Sequence, residues 1–401
     1  MTMPIRLPID GATRVAVLGA GSWGTTFAKV LADGGADVAL WARRPEIARE
    51  ITQSKRNSDY LPGINLPRNL WSSSRIPDVL DGAEIVFLSV PSQSLRENLR
   101  IVRELIPHDA LVVSLMKGVE SGTRFRMSEV IEQELQLDPD RVAVASGPNL
   151  ALEIAKEQPT AAVVSSTSME TATTVAAIAT NPYFRSFVNT DVIGTEFGGV
   201  LKNLIAVAIG IVDGVGYGEN TKASIITRGL VEMTDFAVAY GGLPQTLAGL
   251  AGLGDLIATC ESPLSRNNTA GRLLGQGYSF TDVVAQMNQT AEGLSSVAPV
   301  LELAAARGVD MPIVSGSAGA RGNDESAGHR PAPHHGFAAG VDPGRVTAAP
   351  TGSGFHLGFW AFATESGSAS RSAGPGFPAH PCTRVSCSAE RLRRPARVRR
   401  G

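Results

Sequence analysis

A glycine-rich turn between a strand pattern and a helix pattern constrains the fold of this chain more than any other feature. The segment VAVLGAGSWGTTFAKVLADGG spaces Gly19, Gly21 and Gly24 as G-x-G-x-x-G. The first glycine permits a tight turn, the second lets the backbone approach a pyrophosphate, and the third allows close helix–strand packing. Amides of the first helical turn then face the anion. The segment therefore predicts a dinucleotide site, with a purely structural glycine turn as the alternative.

Strand-like and helix-like segments alternate through the first half of the chain. β-branched or apolar runs lie at 13–18, 36–41, 84–90, 110–115 and 141–145, and segments of helical period such as 22–33 and 93–105 separate them. Continuous apolar strands bounded by helices are typical of a parallel sheet covered on both faces. We therefore predict a doubly wound, Rossmann-like α/β domain over residues 1–190.

The strand signals stop near residue 190, and helical periods follow. They cover 193–212, 221–240, 265–275 and 292–306, joined by turns that contain Gly or Pro. This pattern predicts an all-α domain over residues 191–314, which would carry the substrate and the catalytic residues. The expected fold class is thus an α/β domain followed by an all-α domain, with an irregular tail.

The last part of the chain, residues 315–401, has a different composition. It contains eleven Arg, no Lys and five acidic residues, and it is crowded with Gly, Ala, Pro and Ser without a sustained period. One interpretation is a disordered basic tail for nucleic acid or anionic lipid. The other is a frameshift product, because Arg, Ala, Gly and Pro without Lys is what an out-of-frame stretch of a GC-rich gene encodes. We favour the frameshift, and expect no nucleic-acid partner.

Overall composition indicates a soluble protein of a reducing compartment. The chain is 43 % hydrophobic and 18 % charged, which is ordinary for globular proteins. Its apolar run at 204–212 is too short to span a bilayer, and no cleavable signal opens the sequence. The three cysteines do not form a disulfide framework. We expect a cytoplasmic location and no membrane span.

Two arginines follow the second predicted strand, where the choice between nicotinamide cofactors is usually made. In ALWARRPE, Arg43 and Arg44 stand where an NAD-preferring site usually has an acid for the ribose 2′-hydroxyl. Guanidinium groups suit a 2′-phosphate instead. The pair favours NADPH over NADH, with two solvated surface arginines as the alternative. A methyltransferase, which would need the acid, is not favoured.

A single lysine, Lys202, lies in the apolar helical segment GGVLKNLIAVAIGIVDGV, and no carboxylate stands in the ten residues that follow it. Asp213 shares roughly its face of the helix but lies about 16 Å along the axis, too far for a direct contact. Burial lowers the proton affinity of a lysine toward neutral pH, as a general acid requires. Lys202 is therefore a candidate catalytic residue.

Three further clusters contain groups that bind anions. Lys117 follows a predicted strand in VVSLMKGVE, and Ser146–Gly147–Pro148–Asn149 forms a turn between a strand and a helix. The third cluster, between helical segments, holds Asp255, Thr259, Ser265, Arg266 and Asn267. An ordinary surface lysine, or a helix N-cap followed by a solvated arginine, would explain each cluster separately. A phosphate group would explain them together, because it needs Lys, Arg and amides.

Eight motifs in order carry a family resemblance: GAGSWGTTFA, NSDYLPGINLP, SVPSQ, KGVE, SGPNLALEIA, GGVLKNLIA, GLGDLIATCESPLSRN and AEGLSSV. Over residues 12–314 the chain resembles the NAD(P)-dependent glycerol-3-phosphate dehydrogenases of bacteria. The resemblance implies reversible interconversion of dihydroxyacetone phosphate and sn-glycerol 3-phosphate, which feeds glycerophospholipid synthesis. It also implies a nicotinamide cofactor, which the two arginines favour as NADPH, with NADH possible. We expect no metal, and since the family is often dimeric, a homodimer is a possible assembly.

The same resemblance assigns individual residues. Lys202 falls on the catalytic lysine of the family, and Asp255 is the candidate for orienting it. The implied cofactor contacts, beyond the three glycines, are Ser22, Trp23, Arg43, Arg44, Lys117, Ala151, Arg266 and Glu292. The implied substrate contacts are Lys117, Gly147, Asn149, Lys202, Asp255, Ser265, Arg266 and Asn267.

Two departures from the family leave other functions open. Asn149 stands where Ser or Thr is more frequent, and the resemblance ends after RGVDMPIVSG. A related dehydrogenase of hydroxy acids such as ketopantoate or 6-phosphogluconate also places a lysine in a similar helix. A catalytically silent dinucleotide-binding protein is the other alternative, because helices that complete the α-domain in the family are replaced by the tail.

Overall fold

Eight strands form one sheet in the computed structural model, which describes residues 13–263, 265–287 and 292–316. The strand order is β3-β2-β1-β4-β5-β6-β7-β8, and all neighbours are parallel except β6 and β7. The strands are β1 Arg14–Leu18, β2 Asp37–Trp41, β3 Leu70–Ser73, β4 Ile85–Leu88, β5 Leu111–Ser114, β6 Val142–Ser146, β7 Thr160–Ser165 and β8 Phe184–Asn189.

Helices cover the sheet and continue after it. They are α1 Ser22–Asp33, α2 Pro45–Ser54, α3 Ile76–Leu80, α4 Leu95–Val102, α5 Met127–Leu135, α6 Ala151–Ala155, α7 Met169–Ala179, α8 Val192–Val215, α9 Glu219–Ala239, α10 Pro244–Leu247, α11 Asp255–Glu261, α12 Arg266–Gly275, α13 Phe280–Gln286 and α14 Glu292–Arg307. A π-helical turn, Leu250–Gly254, precedes α11, and the last described residues, 312–316, are helical. The predicted order of an α/β part and a helical part is confirmed.

The sheet is buried on both faces, as its continuous apolar strands predicted. In β1, Val15 and Val17 pack into one hydrophobic cluster, and Ala16 and Leu18 pack into the other. Alternate side chains of a strand point to opposite faces, so both faces of β1 are covered. A parallel sheet buried on both faces needs this double covering, which explains why its central strands are mostly apolar.

Three strands, β3, β7 and β8, were not predicted. The edge strand β8 buries Phe184 but leaves Phe187 and Val188 exposed, and polar residues lie between them. Such a strand has no continuous apolar run, which was the signal used for the other five. The antiparallel β6–β7 pair was also not foreseen; it makes the sheet predominantly rather than purely parallel.

The glycine turn connects β1 to α1, as predicted. Gly19 has φ +120°, a left-handed conformation that favours glycine, and a side chain there would collide with the carbonyl oxygen of Ser89 beyond β4. The Gly19 amide donates to the carbonyl of Trp41 at the end of β2, at 3.2 Å. The turn is therefore held between the carboxyl ends of three strands.

Helix α8 forms the core of the helical part. It has the length and mean hydropathy, 1.6, of a membrane span, but 83 % of its most apolar window is buried inside the protein. This is the behaviour of a core helix. The Asp191 carboxylate caps its N-terminus by accepting from the Gly194 amide at 2.8 Å, and Gly216 ends it with φ +88°.

Helices α8 and α12 touch through paired glycines. A Cβ atom at Gly210 of α8 would meet the carbonyl oxygen of Asn268, and one at Gly271 of α12 would meet that of Val207. Gly214 of α8 and Gly275 of α12, one turn further along each helix, make similar contacts, so the two backbones approach directly. This contact fixes the start of α12 relative to the middle of α8, where Lys202 lies.

The buried Glu232 of α9 connects that helix to residues 312–316. Its carboxylate accepts hydrogen bonds from the amides of Ile313, at 2.8 Å, and Val314, at 3.4 Å. These amides belong to the first turn of a helix, which lacks internal acceptors for them. The predicted tail, 315–401, lies outside the described residues from 317 onward.

Candidate active site

Two lysines share one buried carboxylate where the helical part meets the carboxyl ends of the strands. Lys202 Nζ of α8 lies 2.5 Å from Asp255 Oδ1, and Lys117 Nζ lies 2.5 Å from Asp255 Oδ2. Asp255 and Lys202 are both buried. The three residues come from separate parts of the chain, and the structure brings them together as one charged group.

Each ammonium group has one N–H donor that is not used by any of the residues that the structure describes. Lys202 donates to Asp255 and, at 2.8 Å, to Thr259 Oγ1, while Lys117 donates to Asp255 and, at 3.0 Å, to the carbonyl of Gly147. An ammonium has three donors, and these contacts use two on each lysine. A substrate oxygen between the lysines would receive the remaining two.

Burial lowers the pKa of Lys202 to about 8. Desolvation of the charged form is the largest cause; the Asp255 carboxylate raises the pKa against it, and the neighbouring Lys117 lowers it further. A pKa near the working pH suits a group that both donates and accepts a proton. The environment thus gives Lys202 the proton affinity that its apolar sequence context predicted.

Helix α11 holds Asp255 and Thr259 on one face because they are four residues apart. Asp255 lies in the first turn, where the helix dipole favours a negative charge, and the Thr259 hydroxyl donates to Asp255 Oδ1 at 3.3 Å. The preceding π-helical turn brings the start of α11 against α8, since a Cβ at Gly198 would meet the Ala251 carbonyl at 2.5 Å. Asp255 is therefore positioned by backbone contact.

The loop after β6 contributes polar atoms without partners among the described residues. Ser146 Oγ and Asn149 Nδ2 are both buried and make no hydrogen bond, and Gly147 between them has φ +135°. The Lys117 ammonium donates a hydrogen bond to the carbonyl of Gly147 in the loop after β6. Buried polar groups are rarely left unsatisfied, so a polar ligand here would complete their hydrogen bonding.

The cluster Ser265–Arg266–Asn267 begins α12. Ser265 caps the helix by accepting from the Asn268 amide at 3.2 Å, and Arg266 is exposed. Asn267 is buried; its amide donates to Asn203 Oδ1 at 2.9 Å and its oxygen accepts from the Gly293 amide at 3.0 Å. Ser265 thus caps α12, its role as a substrate contact stays a prediction, and Asn267 joins α12 to the residue that follows Lys202.

The glycine turn has the features of a dinucleotide cradle. A side chain at Gly21 would meet nothing within 4 Å, so the space above the turn is open to a ligand. The buried Trp23 indole N–H at the start of α1 has no partner among the described residues. Ser22 donates to the Tyr60 carbonyl at 2.8 Å, and the Ala151 carbonyl accepts from Thr26 at 3.2 Å. These residues fit a pyrophosphate at the helix start.

Both arginines after β2 are exposed at the start of α2, but Arg44 has a partner. Its Nη2 lies 2.6 Å from Asp59 Oδ2, and this carboxylate raises the pKa of Arg44. No acid stands at the end of β2 in the sequence, but Asp59, fifteen residues after Arg44, supplies a carboxylate there in the folded chain.

Of the remaining predicted residues, Glu292 begins α14, but its side chain lies outside the described residues. Its role as a cofactor contact stays a prediction. Two residues at the site were not among the candidates: Asn203 and Asp59. Asn203 had a signal, since it is adjacent to Lys202, whereas Asp59 had none apart from membership in a quoted motif. Thr259 and Ser146 were named in the anion-binding clusters but were given no individual contact.

Comparison with known proteins gives the same family along the chain. Residues 14–172 match the sequence model of the NAD-dependent glycerol-3-phosphate dehydrogenase N-terminus, and residues 191–318 match that of the C-terminus. The chain is 76 % identical over 298 residues to glycerol-3-phosphate dehydrogenase [NAD(P)+] of Leifsonia xyli, covering 74 % of this chain and 81 % of that protein. It is 53 % identical over 302 residues to the protein of the same name from Thermobifida fusca, covering 75 % and 90 %.

A solved structure shows the same likeness in three dimensions. The crystal structure of glycerol-3-phosphate dehydrogenase from Coxiella burnetii superposes with a TM-score of 0.74 at 35 % identity, covering 78 % of this chain and 95 % of that one. The glycerol-3-phosphate dehydrogenase of Saccharomyces cerevisiae gives 0.69 at 28 % identity, covering 78 % and 97 %.

Proposed function

The chain belongs to the NAD-dependent glycerol-3-phosphate dehydrogenase family, and we propose that it reversibly reduces dihydroxyacetone phosphate to sn-glycerol 3-phosphate. The observation that carries this proposal is the Lys202–Asp255–Lys117 group, with one donor left on each lysine. A ketone that becomes an alkoxide needs such a donor at its oxygen. Sequence identity of 76 % to a relative of that name supports the substrate.

In the proposed reaction, bound NADPH supplies the hydride to the substrate carbonyl carbon. Lys202 stabilises the developing negative charge on the carbonyl oxygen and delivers a proton to it from Nζ. In the opposite direction, its neutral amine accepts the proton of the alcohol. Asp255 and Thr259 hold the Lys202 nitrogen in place, so that its third N–H faces the substrate.

Lys117 has a second part in this proposal. With both lysines protonated, the group formed by Lys202, Asp255 and Lys117 has a net positive charge in a mostly buried setting. This charge attracts a phosphorylated substrate. The predicted contacts at Ser265, Arg266 and Asn267 would hold the phosphate at the start of α12, where amides and the helix dipole favour an anion. Binding of that remote group positions the carbonyl for transfer.

NADPH is the proposed preferred cofactor, with NADH as the second. Support for a dinucleotide comes from the open glycine turn and from the Trp23 indole N–H, which has no partner in the described part of the chain. The exposed arginines after β2 favour the 2′-phosphate of NADPH. The proposed physiological role is to supply glycerol 3-phosphate for glycerophospholipid synthesis in the cytoplasm. A homodimer stays a prediction that sedimentation analysis of the purified chain would test.

The test is an assay of the purified full chain with NADPH and dihydroxyacetone phosphate, followed by the loss of reduced nicotinamide absorbance. Dihydroxyacetone without phosphate and ketopantoate serve as comparison substrates in this assay, and 6-phosphogluconate, which is oxidised, is tested with NADP+ by the appearance of reduced nicotinamide absorbance. We expect turnover with dihydroxyacetone phosphate at least about tenfold above dihydroxyacetone and ketopantoate, because these two lack the phosphate that the charged groups bind. Cofactor binding is measured separately by fluorescence, so that binding without turnover identifies the silent protein and rejects the proposal.

A further inference from the structure

We propose that Asp59 is a specificity-determining residue that sets the balance between NADPH and NADH. The inference rests on the proposed use of these cofactors, and goes beyond it by assigning a residue that no motif argument selected. The residues that carry it are Arg44, Asp59, Tyr60 and Asn57. They lie beside the glycine turn and after β2, where doubly wound sheets contact the adenosine ribose.

Asp59 holds Arg44 in one orientation. The Nη2 of Arg44 is 2.6 Å from Asp59 Oδ2, its Nε is 3.8 Å from Glu46 Oε1, and its guanidinium lies over the Tyr60 ring at 5.6 Å. The nearer carboxylate and the ring together select one conformer of a long side chain. Arg44, at the start of α2, is thus preorganised by the segment that follows the end of the same helix.

The segment 57–60 is itself anchored on the glycine turn. The fully buried Asn57 donates to the Ala20 carbonyl at 3.0 Å and to Thr25 Oγ1 at 2.8 Å, and Ser22 donates to the Tyr60 carbonyl at 2.8 Å. Asp59 lies between these two anchors in the sequence. Its backbone is therefore fixed relative to the turn that would bind the pyrophosphate.

The chemistry of the pair differs toward the two cofactors. A 2′-phosphate would compete with Asp59 for the Arg44 guanidinium, and the nearby carboxylate would repel it. A 2′-hydroxyl would instead donate to the carboxylate, as it does to the acid of NAD-preferring sites. Asp59 therefore weakens NADPH binding and strengthens NADH binding at the same position.

The experiment is the variant Asp59→Asn, which removes the charge and keeps the shape. Dissociation constants for NADPH and NADH are measured by fluorescence titration of the full chain, so the result does not depend on turnover. We expect NADPH to bind about two- to fivefold more tightly and NADH to bind about two- to fivefold more weakly, the size typical of exposed ion pairs. The ratio of kcat/KM for the two cofactors should shift in the same direction.

Asp81→Asn is the matched control. Asp81 is another exposed aspartate that pairs with an arginine, Arg14 at 3.8 Å, but it precedes β4 and so lies at the amino ends of the strands, whereas the glycine turn follows the carboxyl end of β1. Asp81→Asn removes the same charge from the same domain and should leave the ratio of the NADPH and NADH dissociation constants unchanged. Equal melting temperatures of the cofactor-free variants would show that folding does not cause the shift.

Arg44→Ala separates this inference from the proposed function. If Arg44→Ala changes the ratio and Asp59→Asn does not, Arg44 acts without Asp59 and the inference is wrong. If Asp59→Asn weakens NADPH, the inference is also wrong, because the carboxylate then only supports Arg44. If neither variant changes the ratio, the 2′-phosphate does not lie at this strand end, and the proposed NADPH preference fails with the inference.

Discussion

Lys202 and Asp255 are 53 residues apart in the sequence, and their side chains meet at 2.5 Å in the buried interior. The same carboxylate holds Lys117 through its other oxygen. One acidic side chain thus orients two cations from different elements. Removing Asp255 would leave buried positive charge without compensation, whereas removing Lys202 would leave Asp255 still paired with Lys117.

Lys202→Met should lower turnover of dihydroxyacetone phosphate by at least about 10³-fold, because both proton transfer and charge stabilisation at the substrate oxygen are lost. Cofactor binding should survive, since the glycine turn is untouched. Steady-state assay and fluorescence titration measure the two effects. Lys156→Met, an exposed lysine at the end of α6, is the control. Near-normal turnover of Lys202→Met would reject its catalytic role.

The pH dependence of the two directions should be opposite. The reduction needs protonated Lys202, so its rate should fall as the pH rises through about 8, the pKa to which burial lowers this group. The oxidation needs the neutral amine, so its rate should fall as the pH drops below that value. The measurement is kcat against pH in each direction with saturating substrates. Parallel profiles would mean that another group limits both.

In the Asp255→Asn variant, the fall in kcat of the reduction with rising pH should begin at a lower pH. Asp255 raises the pKa of Lys202 and Lys117 lowers it, so the loss of the carboxylate removes the favourable neighbour and keeps the unfavourable one. At neutral pH, Asp255→Asn should lower kcat by a larger factor than it changes the KM for the cofactor. A fall that begins at the same pH would show that Asp255 affects Lys202 only through geometry.

Gly271→Val should destabilise the helical part by about 2 kcal/mol or more, since its side chain would meet the Val207 carbonyl of α8. Chemical denaturation measures the change. Gly218→Ala is a matched control at a helix N-cap, where an added Cβ meets nothing within 4 Å. A similar loss of stability for both variants would contradict the importance of the α8–α12 contact.

Glu232 should make stability depend on pH near neutrality. Burial raises the pKa of the Glu232 carboxyl from 4.5 to about 7. The nearby Asp310 also raises this pKa, whereas the hydrogen bonds from the amides of residues 313 and 314 and the charge of Arg228 lower it. The folded state therefore binds the proton more tightly than the unfolded state. The stabilisation, about 3 kcal/mol, is full below pH 4.5 and is lost as the pH rises through about 7. Melting curves of Glu232→Gln should lack this component; an identical pH dependence would refute it.

The sequence by itself determined the class of fold and the identity of the central residues. Continuous apolar runs predicted five of the strands, because a strand buried on both faces is apolar at most of its positions. The glycine spacing predicted the turn, because only glycine tolerates φ +120° at Gly19 against a neighbouring carbonyl. An isolated lysine in an apolar helix predicted a group with a lowered pKa.

Tertiary structure decided which side chains face each other. No spacing along the chain pairs Lys202 with Asp255, or Arg44 with Asp59, because those contacts depend on how helices and loops pack after they form. The edge strand β8 escaped prediction for a related reason: its exposed face removes the apolar pattern. Local sequence encodes burial and backbone conformation, whereas the partner of a buried charge depends on the packing of the whole domain.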